Sequence, residues 1–130
     1  DSASADTLLV TEPWVRPAPE GGVTALYATL HNRYATADTL ERISTPVSER
    51  TELHVTVQRD DGTTGMEELD AGLALPPDTV STLHPAGPHG MIYDVAPALV
   101  TGEQVEVTLH FRSASAQTVQ VPVRETPPMQ

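Results

Sequence analysis

The stretch Thr51-Glu52-Leu53-His54-Val55-Thr56-Val57-Gln58 decides how the chain folds: Leu53, Val55 and Val57 alternate with Glu52, His54, Thr56 and Gln58. Successive side chains of an extended strand point to opposite faces, so this segment predicts a strand with one apolar and one polar face. The same period of two recurs on either side. Val105, Val107, Leu109 and Phe111 alternate with Glu106, Thr108 and His110, and Val119, Val121 and Val123 follow, with Pro122 marking an edge strand. Residues 23–30 are apolar on both faces and predict a central strand. Further strands are expected at 8–14, 39–43, 79–83 and 91–95, separated by turn signals such as Asp60-Asp61-Gly62, Pro76-Pro77-Asp78 and Pro85-Ala86-Gly87-Pro88. No twelve-residue window carries a helical stripe. About eight short strands in one domain predict an all-β, antiparallel β-sandwich of Greek-key type. The expected organisation is a flexible N-terminal tether over 1–7, the sandwich over 8–124 and a C-terminal tail over 125–130.

Composition narrows the function. The chain has 130 residues, 7 basic against 18 acidic, for a net charge of −11, and every basic residue is an arginine. Nucleic acid is excluded as a partner, because phosphate contacts need clustered Lys or Arg. There is no cysteine, hence no disulfide, no thiolate metal site and no Cys nucleophile. The small, polar start Asp1-Ser2-Ala3-Ser4-Ala5-Asp6 reads as the remnant of a processed signal or as a tether.

Five His and three Met are the unusual inventory. His54 lies on the polar face of its strand, so core filling does not explain it. A hairpin whose tip is Arg59–Gly65 would bring Met66 near His54 across adjacent strands. His89 and Met91 flank Gly90 and share one face of an extended segment, next to a Pro/Gly loop at a sandwich end. Two imidazoles and two thioethers form a soft donor set that suits Cu(I), whereas Zn(II), Mg(II) and Ca(II) gain little from thioether. The bland alternative is Met as core filler and His as surface residue. His31 reads as a turn residue, His84 as a loop residue and His110 as outward-facing, all three solvent-exposed.

The pattern His54, Met66 and His89-Gly90-Met91, with eleven, twenty-two and one intervening residues, resembles the metal motif of the periplasmic copper chaperones called PCuAC. The likeness extends through Trp14-Val15-Arg16, Tyr27, Asn32, Glu52-Leu53-His54, Leu109, Phe111 and Val121-Pro122-Val123. It departs in carrying Val55, Thr56 and Val57 where many members place a Met soon after the first His. It also lacks the His/Met-rich tail that accompanies a second, Cu(II) site. The resemblance implies a cupredoxin-like sandwich and an extracytoplasmic location, in the periplasm or on the outer face of the cytoplasmic membrane, with room for an N-terminal membrane tether. It further implies a non-enzymatic metallochaperone that holds Cu(I) on His54, Met66, His89 and Met91. The acceptor would be the Cu-A subunit of cytochrome c oxidase or another copper chaperone, and the expected state is a monomer.

Competing readings remain open at this level. They are copper storage or resistance, and a metal-free adhesion or scaffold sandwich. A zinc hydrolase using His54, His89 and Glu52 or Asp94 is a further class, although neither an HExxH nor a GxSxG motif occurs. Blue-copper electron transfer in its usual form needs a Cys and is excluded.

Overall fold

A computed structural model describes residues 8–126 except Ala86. The expected tether over 1–7 and the last four residues of the expected tail lie outside the described residues. Among the described residues ten strands form: β1 (Leu8–Val15), β2 (Thr24–Asn32), β3 (Asp38–Ser44), β4 (Arg50–Gln58), β5 (Thr64–Glu68), β6 (Leu73–Leu75), β7 (Thr79–Leu83), β8 (Pro88–Tyr93), β9 (Gln104–Phe111) and β10 (Gln117–Pro122). They make two antiparallel sheets, one in the order β1-β2-β8-β4-β5 with β7 also on β2, the other in the order β10-β9-β3-β6. The all-β sandwich is as expected, with ten strands rather than eight. β6 is three residues long, too short for a period to show in the sequence.

Alternation becomes burial. Val105, Val107, Leu109 and Phe111 of β9 are all buried, and they meet Leu26 and Leu30 of β2, Leu53 of β4 and Ile92 of β8 in one core between the sheets. β2 is apolar on both faces because both are covered. Its Leu26 and Leu30 enter the core, while Ala25 and Tyr27 pack with Trp14 on the outer face of the first sheet. Pro122 lies on β10, an edge strand as predicted.

The strand expected at 91–95 begins three residues earlier and ends at Tyr93. β2 pairs with β8 through Thr24–Leu26 and with β7 through Ala28–Asn32, so β7 and β8 lie end to end along one side of β2. The turn between them is closed by the His84 N–H donating to the Pro88 carbonyl at 2.8 Å, and it is tied to β4 by the Thr56 N–H donating to the Gly87 carbonyl at 3.3 Å. Flanked by β2 and β4, residues 88–90 extend as strand. The Pro/Gly loop therefore stops before His89.

Gly90 explains the centre of the His-Gly-Met run. It pairs with Leu26 and Leu53, so its Cα faces the core, and a Cβ there would lie 2.6 Å from Ile43 Cδ1 of the opposite sheet. Its neighbours His89 and Met91 are consequently turned to the outer face.

Candidate metal centre

Register brings the four residues onto one face. His54 pairs with His89 and Glu52 with Met91 between β4 and β8, and Thr56 pairs with Met66 between β4 and β5. Cross-strand partners share a face, so His54, Met66, His89 and Met91 all project from the outer face of the first sheet. The imidazoles of His54 and His89 stand 6.3 Å apart between centroids. The hairpin carries Met66 across β4 to His89, whose Nε2 lies 3.3 Å from the Met66 sulfur. Sequence reasoning paired Met66 with His54; the contact that forms is with His89. Met91 packs against Trp14, Ala25 and Tyr27.

Hydrogen bonds assign the ring protons. His89 Nδ1 lies 2.9 Å from the Gly87 carbonyl. A carbonyl only accepts, so Nδ1 carries the proton and Nε2 presents a lone pair beside the thioether. His54 is the mirror case. Its Nε2 lies 2.8 Å from Glu52 Oε1 and 3.4 Å from the Tyr93 hydroxyl. Its Nδ1 is buried and makes no hydrogen bond, the one such side-chain nitrogen or oxygen among the described residues. Buried polar atoms are nearly always paired, so this nitrogen is an exception.

The surroundings hold these rings in place. The His54 contact, joined by the Tyr93 hydroxyl and the Arg50 charge, holds the Glu52 carboxyl below the ordinary carboxylate range. Burial, with the Glu52 charge beside it, pushes the Tyr93 phenol up. The Arg50 guanidinium sits 4.3 Å from the Tyr93 ring centre. On the other flank the Trp14 and Tyr27 rings pack tilted at 49° with centroids 4.8 Å apart, Arg16 lies over both, and Tyr27 stands 6.4 Å from the His89 ring. Trp14 reaches this face because β1 carries one extra residue between Thr11 and Trp14, where Glu12 adopts a φ of 53°. Such a bulge re-aims the side chains that follow it.

Residues 8–123 of the chain match the LpqE-like lipoprotein family. The chain belongs to the LpqE-like family. A protein of Leifsonia xyli subsp. xyli named as a lipoprotein, Lxx21020, is 29% identical over 121 residues, covering 93% of this chain and 72% of its own length. Among solved structures, this LpqE-like chain superposes on the copper-bound PCuAC domain of PmoF2 with a TM-score of 0.75 at 22% identity, covering 92% of this chain and 93% of that one. The solution structure of CuI-DR1885 from Deinococcus radiodurans gives a TM-score of 0.70 at 28% identity, covering 95% of this chain and 84% of that one. The PCuAC resemblance drawn from the motif therefore holds at the level of the fold.

The remaining histidines of the LpqE-like chain depart in part from expectation. His31 is a strand residue of β2, paired with Leu9 and Val80, rather than a turn residue. His110 is half-buried, with Nε2 2.8 Å from the Ser44 hydroxyl, because β9 is an inner strand of its sheet. His84 is exposed in its loop as expected. Among the described residues no three His, Asp or Glu side chains gather as a metal-holding group. Glu52 is engaged by His54, and Asp94 is exposed just beyond β8. Sequence reasoning weighed Glu52 only as a zinc ligand, though its two-residue spacing from His54 already put both on one face. It missed Tyr93 and the Gly87 carbonyl, whose roles depend on strand register and a turn.

Proposed function

We propose that this chain is a Cu(I)-binding metallochaperone that works outside the cytoplasm, holding the ion on His54, Met66, His89 and Met91. The observation that carries the reading is the buried, unpartnered Nδ1 of His54 on the same face as the His89 Nε2 and Met66 sulfur pair. The His89 Nε2 and the Met66 sulfur lie 3.3 Å apart, near enough for one ion to take both as ligands. Neutral imidazole with thioether is a donor set for Cu(I). Relatives described as copper-bound and as CuI-loaded support the choice of metal, and membership of a lipoprotein family supports an extracytoplasmic site of action.

Transfer follows from unequal burial. His89 is 4% exposed and Met66 53% exposed, so an incoming ligand reaches the ion on the Met66 side while the imidazoles still hold it. The chain acts as a monomer whose exposed flank meets the acceptor, the Cu-A centre of cytochrome c oxidase or another copper chaperone. Its acidic surface orients a basic patch on that acceptor, an effect that weakens with salt.

Competition with a Cu(I) chelator under anaerobic, reducing conditions tests the reading on the wild type and on His54→Ala. The expected result is one tightly held Cu(I) in the wild type and a large loss in the variant, with Zn(II) bound weakly by both. A wild type that takes no Cu(I) overturns it and leaves a metal-free sandwich.

A further inference from the structure

Glu52 is aimed at one nitrogen of the site. Its side chain runs along the outer face between His54 and Tyr93. One carboxylate oxygen lies 2.8 Å from His54 Nε2, and the other lies 3.5 Å from the Arg50 guanidinium. The Tyr93 hydroxyl lies 3.4 Å from the same His54 Nε2, and Arg50 in turn covers the Tyr93 ring. The two imidazoles of the site are thus locked in opposite senses. The His89 Nδ1–H donates to the Gly87 carbonyl, whereas the His54 Nε2–H donates to Glu52. A neutral imidazole has one donor and one acceptor nitrogen, so the partner that takes the proton decides which nitrogen remains for an ion.

Resting on the copper reading above, we propose that Glu52 is a positioning residue: it holds His54 as the Nε2–H tautomer and so commits Nδ1, the nitrogen without a partner, to Cu(I). The donor set then contains one Nδ1 and one Nε2. Tyr93 and Arg50 act one step further out, keeping the carboxylate turned towards the ring. Without Glu52 the proton is free to move to Nδ1, because nothing at that nitrogen opposes it, and the fraction of protein ready to bind falls. Partners of metal-bound histidines act in this way in general, and their removal costs about 10- to 100-fold in affinity.

Two readouts test this on the full chain. Long-range ¹H–¹⁵N correlation on the metal-free protein at neutral pH reports each tautomer directly. The expected pattern is Nε2–H for His54 and Nδ1–H for His89, with Glu52→Ala turning His54 into a mixture and leaving His89 unchanged. Glu52→Gln, which keeps an acceptor oxygen, restores the wild-type pattern. Chelator competition should then show Cu(I) affinity reduced about 10- to 100-fold in Glu52→Ala and largely recovered in Glu52→Gln. An Nδ1–H tautomer at His54 in the wild type overturns the proposal. So does a Glu52→Ala protein whose tautomer and Cu(I) affinity are both unchanged. If the wild type binds no Cu(I), the copper reading fails, and the tautomer pattern alone decides whether Glu52 orients His54.

Discussion

Each of the four proposed ligands carries a different share of structure and of binding. Met66 is on an edge strand and largely exposed, so truncating it removes a thioether and little packing. Met66→Ala should weaken Cu(I) by about tenfold or more while leaving Zn(II) affinity and the melting temperature near wild type, as competition titrations with each metal will report. Met91 differs because it also packs on Trp14, Ala25 and Tyr27. Met91→Ala should lose Cu(I) affinity and about 1–2 kcal/mol of stability as well, measurable by urea titration. Unchanged Cu(I) affinity in both variants would remove the thioethers from the site.

Within its elements, β8 has to serve two faces at once. His89 and Met91 point outward only because Gly90 lies flat against Ile43 of the other sheet. Its backbone needs no unusual φ, so the demand is for space alone. Gly90→Ala should force the Ile43 side chain to shift and cost about 1–3 kcal/mol through overpacking, with a drop in the urea midpoint as the readout. A variant as stable as the wild type would mean that the two sheets separate easily at this point. The strain would fall between the two proposed ligands His89 and Met91, so Cu(I) affinity should fall with stability.

For the whole molecule, two groups of the second sheet, Asp38 and His110, add to acid sensitivity. Burial alone would raise the Asp38 carboxyl, but the backbone N–H groups of Ser113, Thr39 and Ala114 donate to it and bring it below its ordinary 3.8. The last two strands are thereby tied to the start of β3, with donor distances of 2.9 Å from Ser113 and Ala114. A depressed carboxyl contributes stability that is complete above about pH 4–5 and lost as pH falls through its folded value. His110 is lowered from 6.5, first by burial and then by the Arg42 charge. The unfolded chain therefore takes up that proton first, and stability is lost as pH falls below 6.5. Melting temperature against pH should show both declines. His110→Gln should flatten the upper one and Asp38→Asn the lower one, and a wild-type curve that is level from pH 7 to pH 5 would contradict the His110 assignment.

Alternation was legible where one face of a strand meets the core, as in Val105–Phe111, because burial and period are then the same fact; in β4 only Leu53 is buried, and Val55 and Val57 are half-buried. It was silent for β6, which is too short, and it misplaced the start of β8, since residues 88–90 extend only when β2 and β4 flank them. His54, Met66, His89 and Met91 were likewise marked by chemistry and spacing before any fold was known. Their partners were another matter. That Met66 meets His89 rather than His54, that Glu52 accepts from one ring N–H and the Gly87 carbonyl from the other, and that His54 Nδ1 is left buried without a partner all depend on strand register. The sequence alone determined the strand periods, the soft donor set and the exclusion of thiolate chemistry, because these are properties of residue type and local spacing. Only the tertiary structure decided which ring nitrogens are hydrogen-bonded and which is left without a partner, because hydrogen bonds between strands distant in the chain are made by pairing, and pairing is set by the packing of the whole sandwich.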